Sequence, residues 1–172
     1  SWGIAWGGAV GLFTIFMLQM HSHDPRKWHA KGSPEGEKYF EPSKSRTPLY
    51  EGDVKIDRVG YLTNLLGDRA AQSIEGFAKA KQPFYLSLHF NAPHYPWLGP
   101  DDEEEGKRVK DFIHYEGGDA KTYMRMVQSM DANIGKVLQA LDLNGIADNT
   151  IVIFTSDNGG ERFSKIWPFT GM

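Results

Sequence analysis

Two short polar clusters in this chain combine residue types that do chemistry. In Ser156-Asp157-Asn158-Gly159-Gly160 a carboxylate and an amide oxygen are adjacent, in a turn that two glycines allow to bend tightly. That donor pair suits a hard cation such as Ca²⁺ or Mg²⁺. The same five residues also make an ordinary turn, so on their own they leave both readings open. His94 lies between Pro93 and Tyr95-Pro96. The prolines restrain its backbone, so the imidazole can be held facing a pocket as acid, base or anion donor; a structural loop histidine fits the same pattern. Trp97 and Trp167 are candidates for an apolar rim around an aromatic or sugar substrate, and equally for packing. The acidic run 101–105 reads as a solvated loop face, because like charges repel and hydrate.

These clusters need elements to position them. Leu62, Leu66, Ala70, Ile74 and Phe77 recur at three- and four-residue steps, the period of an amphipathic helix, which must end before Pro83. Residues 84–90 (FYLSLHF) form a short aromatic and leucine-rich run of buried-strand type. A second helix is expected from Tyr123, Val127, Met130, Ile134, Val137, Leu138 and Leu141, which share one stripe, with Arg125, Gln128, Asp131, Lys136 and Gln139 facing elsewhere. Its Met and Tyr residues read as core. Asn144-Gly145 supplies a left-handed stop, and residues 151–155 (IVIFT) are a β-branched run of strand length. Strand, helix and strand in this order predict a right-handed crossover joining parallel strands. In such sheets ligands gather outside the carboxyl ends of strands, so 91–94 and 156–160 should emerge from one edge. With strands about 4.8 Å apart, His94 and Asp157 should then approach within roughly 12 Å.

Composition narrows the function classes. The 172 residues suit one domain or a large piece of one. With 19 Lys and Arg against 22 Asp and Glu, the net charge is −3, and no global positive field exists to hold a nucleic acid or an anionic membrane. The absence of cysteine excludes disulfides, thiolate zinc sites and cysteine nucleophiles. Hydrophobic residues at 40%, with 19 Gly and 9 Pro, indicate a folded, loop-rich chain. Residues 2–20 carry no charge and are long enough to span a bilayer, which leaves three readings: a buried segment, a membrane segment or a signal remnant. The buried reading is preferred. Gly3, Gly7, Gly8 and Gly11 weaken a membrane helix, no basic residue precedes the stretch, and no small-residue cleavage site follows it. Residues 21–60 are polar, broken by Pro25, Pro34, Pro42 and Pro48, and read as a long surface excursion.

Taken together, PFYLSLHFNAPHYPW, YMRMVQSMDANIGKVLQALDLNGIADNTIVIFTSDNGG and WPFTGM resemble, in order and spacing, the middle of the sulfatase family within the alkaline phosphatase superfamily. The resemblance covers residues 60–172, and the glycine-rich WGIAWGGAVGLFT more faintly. It implies an α/β fold, a mostly parallel sheet flanked by helices, with residues 1–172 forming part of a sulfatase catalytic domain: an irregular, glycine-rich start and long loop over 1–60, and an α/β core over 61–172. It implies that Asp157 and Asn158 bind a divalent cation, usually Ca²⁺ with Mg²⁺ as the alternative. His94 would contact the sulfate and assist the leaving group. The implied substrate is a small sulfate ester or a sulfated glycan, and the implied location is outside the cytoplasm, because exported members are common. The family's formylglycine nucleophile arises from a Cys or Ser in C/S-x-P-S/A-R, and no such motif occurs here. Two further acidic metal ligands near the family's N-terminus are missing as well. Lys27-Trp28-His29 has the letters of a family K-x-H pair but follows the glycine-rich stretch instead of preceding it, and is read as coincidence. The expectation is an internal fragment of a sulfuric-ester hydrolase, inactive alone, with formylglycine upstream. The alternatives are a phosphodiester or phosphonate monoester hydrolase of the same superfamily, or a non-catalytic membrane-associated module.

Overall fold

The structure is a computed structural model that describes residues 13–14, 49–51, 54–56, 60–94, 97–108, 118–160 and 162–168. Lys27, His29, Tyr95, Pro96, the residues after 168 and most of the uncharged stretch 2–20 lie outside the described residues. The elements run β1 (Phe13–Thr14), β2 (Leu49–Glu51), β3 (Val54–Ile56), α1 (Leu62–Ala80), β4 (Phe84–Tyr85), α2 (Glu103–Arg108) and α3 (Ala120–Leu143), followed by a 3₁₀ turn at Ala147–Asn149. Among the described residues, no helix is long and apolar enough to cross a membrane.

The two long helices form where the periodicity places them. α1 buries Leu62, Leu66, Ala70 and Ile74, and ends at Lys81, whose left-handed backbone (φ 52°) lets its N–H reach the Ala78 carbonyl. Pro83 follows, as a helix stop requires. α3 starts at Asp119, whose carboxylate accepts the Thr122 N–H at 2.6 Å. That hydrogen bond, then the Thr122 hydroxyl and the nearby Arg125 and Lys121 charges, hold the Asp119 carboxyl below the ordinary aspartate range. Its contribution to the helix is therefore present above the unfolded-state value, and is lost as pH falls through the depressed one. At the other end Gly145 (φ 65°) donates to Asp142 O and Ile146 donates to Leu141 O, the paired bonds of a Schellman stop.

α1 and α3 pack face to face, and their seam is set by one glycine and one asparagine. The buried centre of α3 is Met126, Asn133 and Ala140, with Leu141, a line rotated from the expected stripe; Leu138, predicted to face the core, is exposed. A Cβ on Gly67 of α1 would lie only 2.6 Å from Asn133 Cβ, so the helices approach as closely as a missing side chain permits. Asn133 Nδ2 donates to Asn64 Oδ1 and to Ser129 O, each at 2.7 Å, and Ser129 Oγ donates to the same Asn64 oxygen at 3.1 Å. Among the described residues Asn133 Oδ1 has no hydrogen-bond partner, and it faces the Gly67 position that a Cβ would fill, the arrangement of a weak Cα–H···O contact. Lys136 and Asp68 close the rim at 2.6 Å, an exposed pair worth about 0–1 kcal/mol.

The sheet departs from expectation in three places. Ladder pairing in 84–90 is confined to Phe84–Tyr85, which lie parallel to Phe13–Thr14, in register Phe13 with Phe84 and Thr14 with Tyr85. The period-2 pattern nevertheless persists: Phe84 and Leu86 pack against the Ile74 cluster, Leu88 and Phe90 against Leu62 and Leu66. β2 and β3 form an antiparallel pair within the region expected to be irregular. The sequence signal for it is Gly52-Asp53 between LYE and VKI, a two-residue hairpin cue. Residues 151–155 form no strand, since a ladder needs a neighbour to exchange hydrogen bonds and none among the described residues runs beside them. Ile151, Ile153 and Phe154 are consequently 90%, 83% and 72% exposed. The described residues thus contain one parallel pair and one antiparallel pair, and no crossover from 84–90 to 151–155.

Candidate functional site

His94 sits on the loop after the 84–90 segment, exposed, with its backbone N–H donating to Asn91 O at 2.9 Å. The loop base is buried: Ala92, Trp97 and Leu98 are at most 8% exposed. Three groups from elsewhere hold the stretch of chain that comes next. Tyr61, the residue before α1, donates its hydroxyl to Leu98 O at 2.9 Å across 37 residues. Asp102 accepts the Gly99 N–H at 2.7 Å and the Arg125 Nη2 at 2.7 and 2.8 Å, and Arg125 also donates to Thr122. Gly118, at φ 72°, leaves the space that Trp97 occupies, since a Cβ there would come within 2.6 Å of Trp97 Cβ. Asp101, Glu103, Glu104 and Glu105 are exposed, as the solvated reading of 101–105 expects; the departures are Asp102, a half-buried structural anchor, and the helix Glu103–Arg108 in place of a loop. The Asp102–Arg125 separation of 23 residues leaves no local sequence signal for this pair.

Asp157 and Asn158 lie in an exposed bend. Asn158 Nδ2 donates to Gly159 O and Ser156 Oγ donates to Asn158 O, each at 2.7 Å. The Asn158 amide nitrogen is thus engaged locally. An oxygen-only, singly anionic pair fits a hard cation. Two ligands do not make a coordination shell, and among the described residues no group of three or more His, Asp or Glu gathers that could hold a metal ion.

What joins the two loops is aromatic. Phe163, five residues after Asn158, stacks edge-on against Trp97 with centroids 4.8 Å apart at 71°, and lies 6.1 Å from Tyr123. Arg162 places its guanidinium carbon 5.7 Å from the Trp97 ring centroid and 5.1 Å from that of Phe163. Ala92, Trp97 and Met126 form the buried floor, with Tyr123, Met130 and Phe163 packed on it. Trp97, at 2% exposure, is core and not a substrate rim, while Trp167 is 89% exposed and remains available. Arg162 and Phe163 belong to no motif that singles them out in the sequence.

A family model described as Sulfatase matches residues 26–168. The chain is 33% identical over 132 residues to Uncharacterized sulfatase YdeN of Escherichia coli (strain K12), covering 77% of this chain and 21% of that protein. It is 36% identical over 137 residues to a protein named Sulfatase from Formosa agariphila, covering 72% of this chain and 23% of the relative. Among solved structures, Ps i-CgsB aligns with a TM-score of 0.61 at 32% identity, over 73% of this chain and 27% of that one. The chain spans roughly a quarter or less of the length of these relatives. With most of its residues matched by the family model and these relatives at a third identity, the chain belongs to the sulfatase family and has its alkaline phosphatase-like α/β fold.

Proposed function

We propose that this chain forms part of a sulfuric-ester hydrolase in which Asp157 and Asn158 contribute two ligands to a divalent cation, most simply Ca²⁺, and His94 serves the sulfate and its leaving oxygen. The observation that carries the proposal is that the segments following the two motif loops, 66 residues apart at Trp97 and Phe163, meet in one aromatic cluster. Cleavage of a sulfate ester builds negative charge on the sulfuryl oxygens and on the departing oxygen, so the site must supply positive donors and a proton. A bound cation would supply electrostatic stabilisation of the sulfuryl oxygens. His94, on an exposed loop with a buried base, can donate a hydrogen bond to a sulfate oxygen or hand a proton to the leaving alkoxide. The nucleophile is not among these 172 residues, and we assign it, as a formylglycine, to the remainder of the enzyme. The parallel sheet expected around 151–155 belongs to the same proposal: the apolar, exposed IVIF run has the composition of a strand covered on both faces in the complete domain.

A sulfated glycan is the favoured substrate class. Its support is a relative from Bacteroides thetaiotaomicron named Endo-4-O-sulfatase, 27% identical over 163 residues, and a structure of Ps i-CgsB in complex with k-i-k-neocarrahexaose, 33% identical to this chain. An exported location follows as part of this reading, since such polymers lie outside the cell. The substrate class is tested by assaying the enzyme that contains this chain on matched sulfate and phosphate esters. Sulfate release from sulfated oligosaccharides is expected to dominate; faster cleavage of phosphodiesters or phosphonate monoesters would transfer the assignment to another branch of the superfamily.

A further inference from the structure

We infer that Phe163 is a positioning residue, which locks the 156–160 turn to the loop carrying His94 by inserting its ring against Trp97. The inference rests on the proposed function for what is positioned, but on geometry alone for the lock.

Among the described residues the turn itself is held by short local bonds, Ser156 to Asn158 and Asn158 to Gly159, and the chain from Ile151 to Gly159 is exposed throughout. Such a segment has no intrinsic reason to sit in one place relative to the helices. Gly160 and residues 162–166 fix it. At Gly160 the chain folds back so closely that a Cβ would lie 2.6 Å from Ser164 Cβ and 3.0 Å from Ile166 Cγ2. This close approach ties Gly160 to Ser164 and Ile166, and Phe163 packs onto Trp97, Tyr123 and the Met126 floor. Trp97 is itself immobilised, buried at 2% exposure and seated over Gly118. The tethers on either side are short: Trp97 lies three positions after His94 and Phe163 five positions after Asn158, which reach at most about 11 and 18 Å when fully extended. One edge-to-face contact, with Arg162 stacked beside it, therefore sets the spacing between the cation turn and the histidine loop.

The test compares Phe163→Ala and Phe163→Tyr with wild type in the enzyme containing this chain, by amide hydrogen exchange and by kinetics across a Ca²⁺ titration. In Phe163→Ala the amides of 91–94 and 156–160 should both exchange about tenfold or more faster, with the cores of α1 and α3 unchanged. kcat should fall about tenfold or more, and the Ca²⁺ concentration for half-saturation, read by calorimetry, should rise. Phe163→Tyr, which keeps the ring, should preserve all three. If 91–94 keeps its protection in Phe163→Ala, the lock does not exist. If exchange rises at both loops while kcat and cation affinity stay at wild-type values, Phe163 is packing and positions nothing. Wild-type enzyme with no sulfate-ester turnover would sink the functional reading, while the exchange data would still decide the lock.

Discussion

Replacing His94 by alanine, in the enzyme that contains this chain, should lower kcat on a sulfate ester by about 10²- to 10⁴-fold, the range general acid catalysis supplies. That factor corresponds to about 3–5 kcal/mol of transition-state stabilisation. The loop base should survive the change. Ala92 and Trp97 are buried in the cluster with Met126, Leu98 is buried beside them in sequence, and His94 N–H to Asn91 O is a backbone bond. The leaving group discriminates between the two roles of the histidine. If it protonates the departing oxygen, the loss will be largest on sugar sulfates, whose alkoxides leave poorly, and smaller on an activated aryl sulfate. If it only binds sulfate, the loss will be equal on both and will show mainly in KM. Turnover of both substrates within about threefold of wild type would remove His94 from the chemistry.

Gly67→Ala should destabilise the chain by about 2–4 kcal/mol, combining overpacking with disruption of a buried polar cluster. The added carbon would sit 2.6 Å from Asn133 Cβ, so either the helices part or Asn133 swings away. In the second case Asn133 loses its bonds to Asn64 and Ser129. The intrinsic helix gain of alanine over glycine, about 1 kcal/mol, offsets only part of this. Gly76 on the same helix provides the control, because its exposed Cβ position has nothing within 4 Å. Gly76→Ala should stabilise by up to about 1 kcal/mol. Urea unfolding of both variants checks the pair; equal effects at the two glycines would show that the α1–α3 seam is looser than these distances require.

Elements whose signal is local are legible in the amino-acid sequence. α1 and α3 follow from 3.6-residue periodicity and from stops at Pro83 and Asn144-Gly145, because caps and amphipathic stripes are written within a few residues. The centre of the α3 stripe is harder to read. An asparagine at position 133 looks polar in a sequence, and only the glycine opposite it on α1 turns it into a core residue. The hairpin of β2 and β3 is marked only by Gly52-Asp53, and the prolines that precede it, from Pro25 to Pro48, mask that signal by favouring an irregular loop. Strand character at 151–155 is legible as composition, but pairing is a property of two segments, and no described neighbour completes it. The candidate site divides the same way. His94, Asp157 and Asn158 stand out because motif and turn chemistry are local. Tyr61, Asp102, Arg125 and Phe163, which hold their loops, act over 37, 23 and 66 residues and carry no local mark.

Sulfate release from an aryl sulfate, measured in the enzyme containing this chain after chelation and then across added Ca²⁺, for wild type and Asp157→Ala side by side, tests the central claim most directly. Wild type should fall to background in chelator and recover as Ca²⁺ is restored, while Asp157→Ala stays at background over the same range. Full sulfate release by wild type in chelator, or recovery of Asp157→Ala at the Ca²⁺ concentration that restores wild type, would contradict a cation site built on the 156–160 turn.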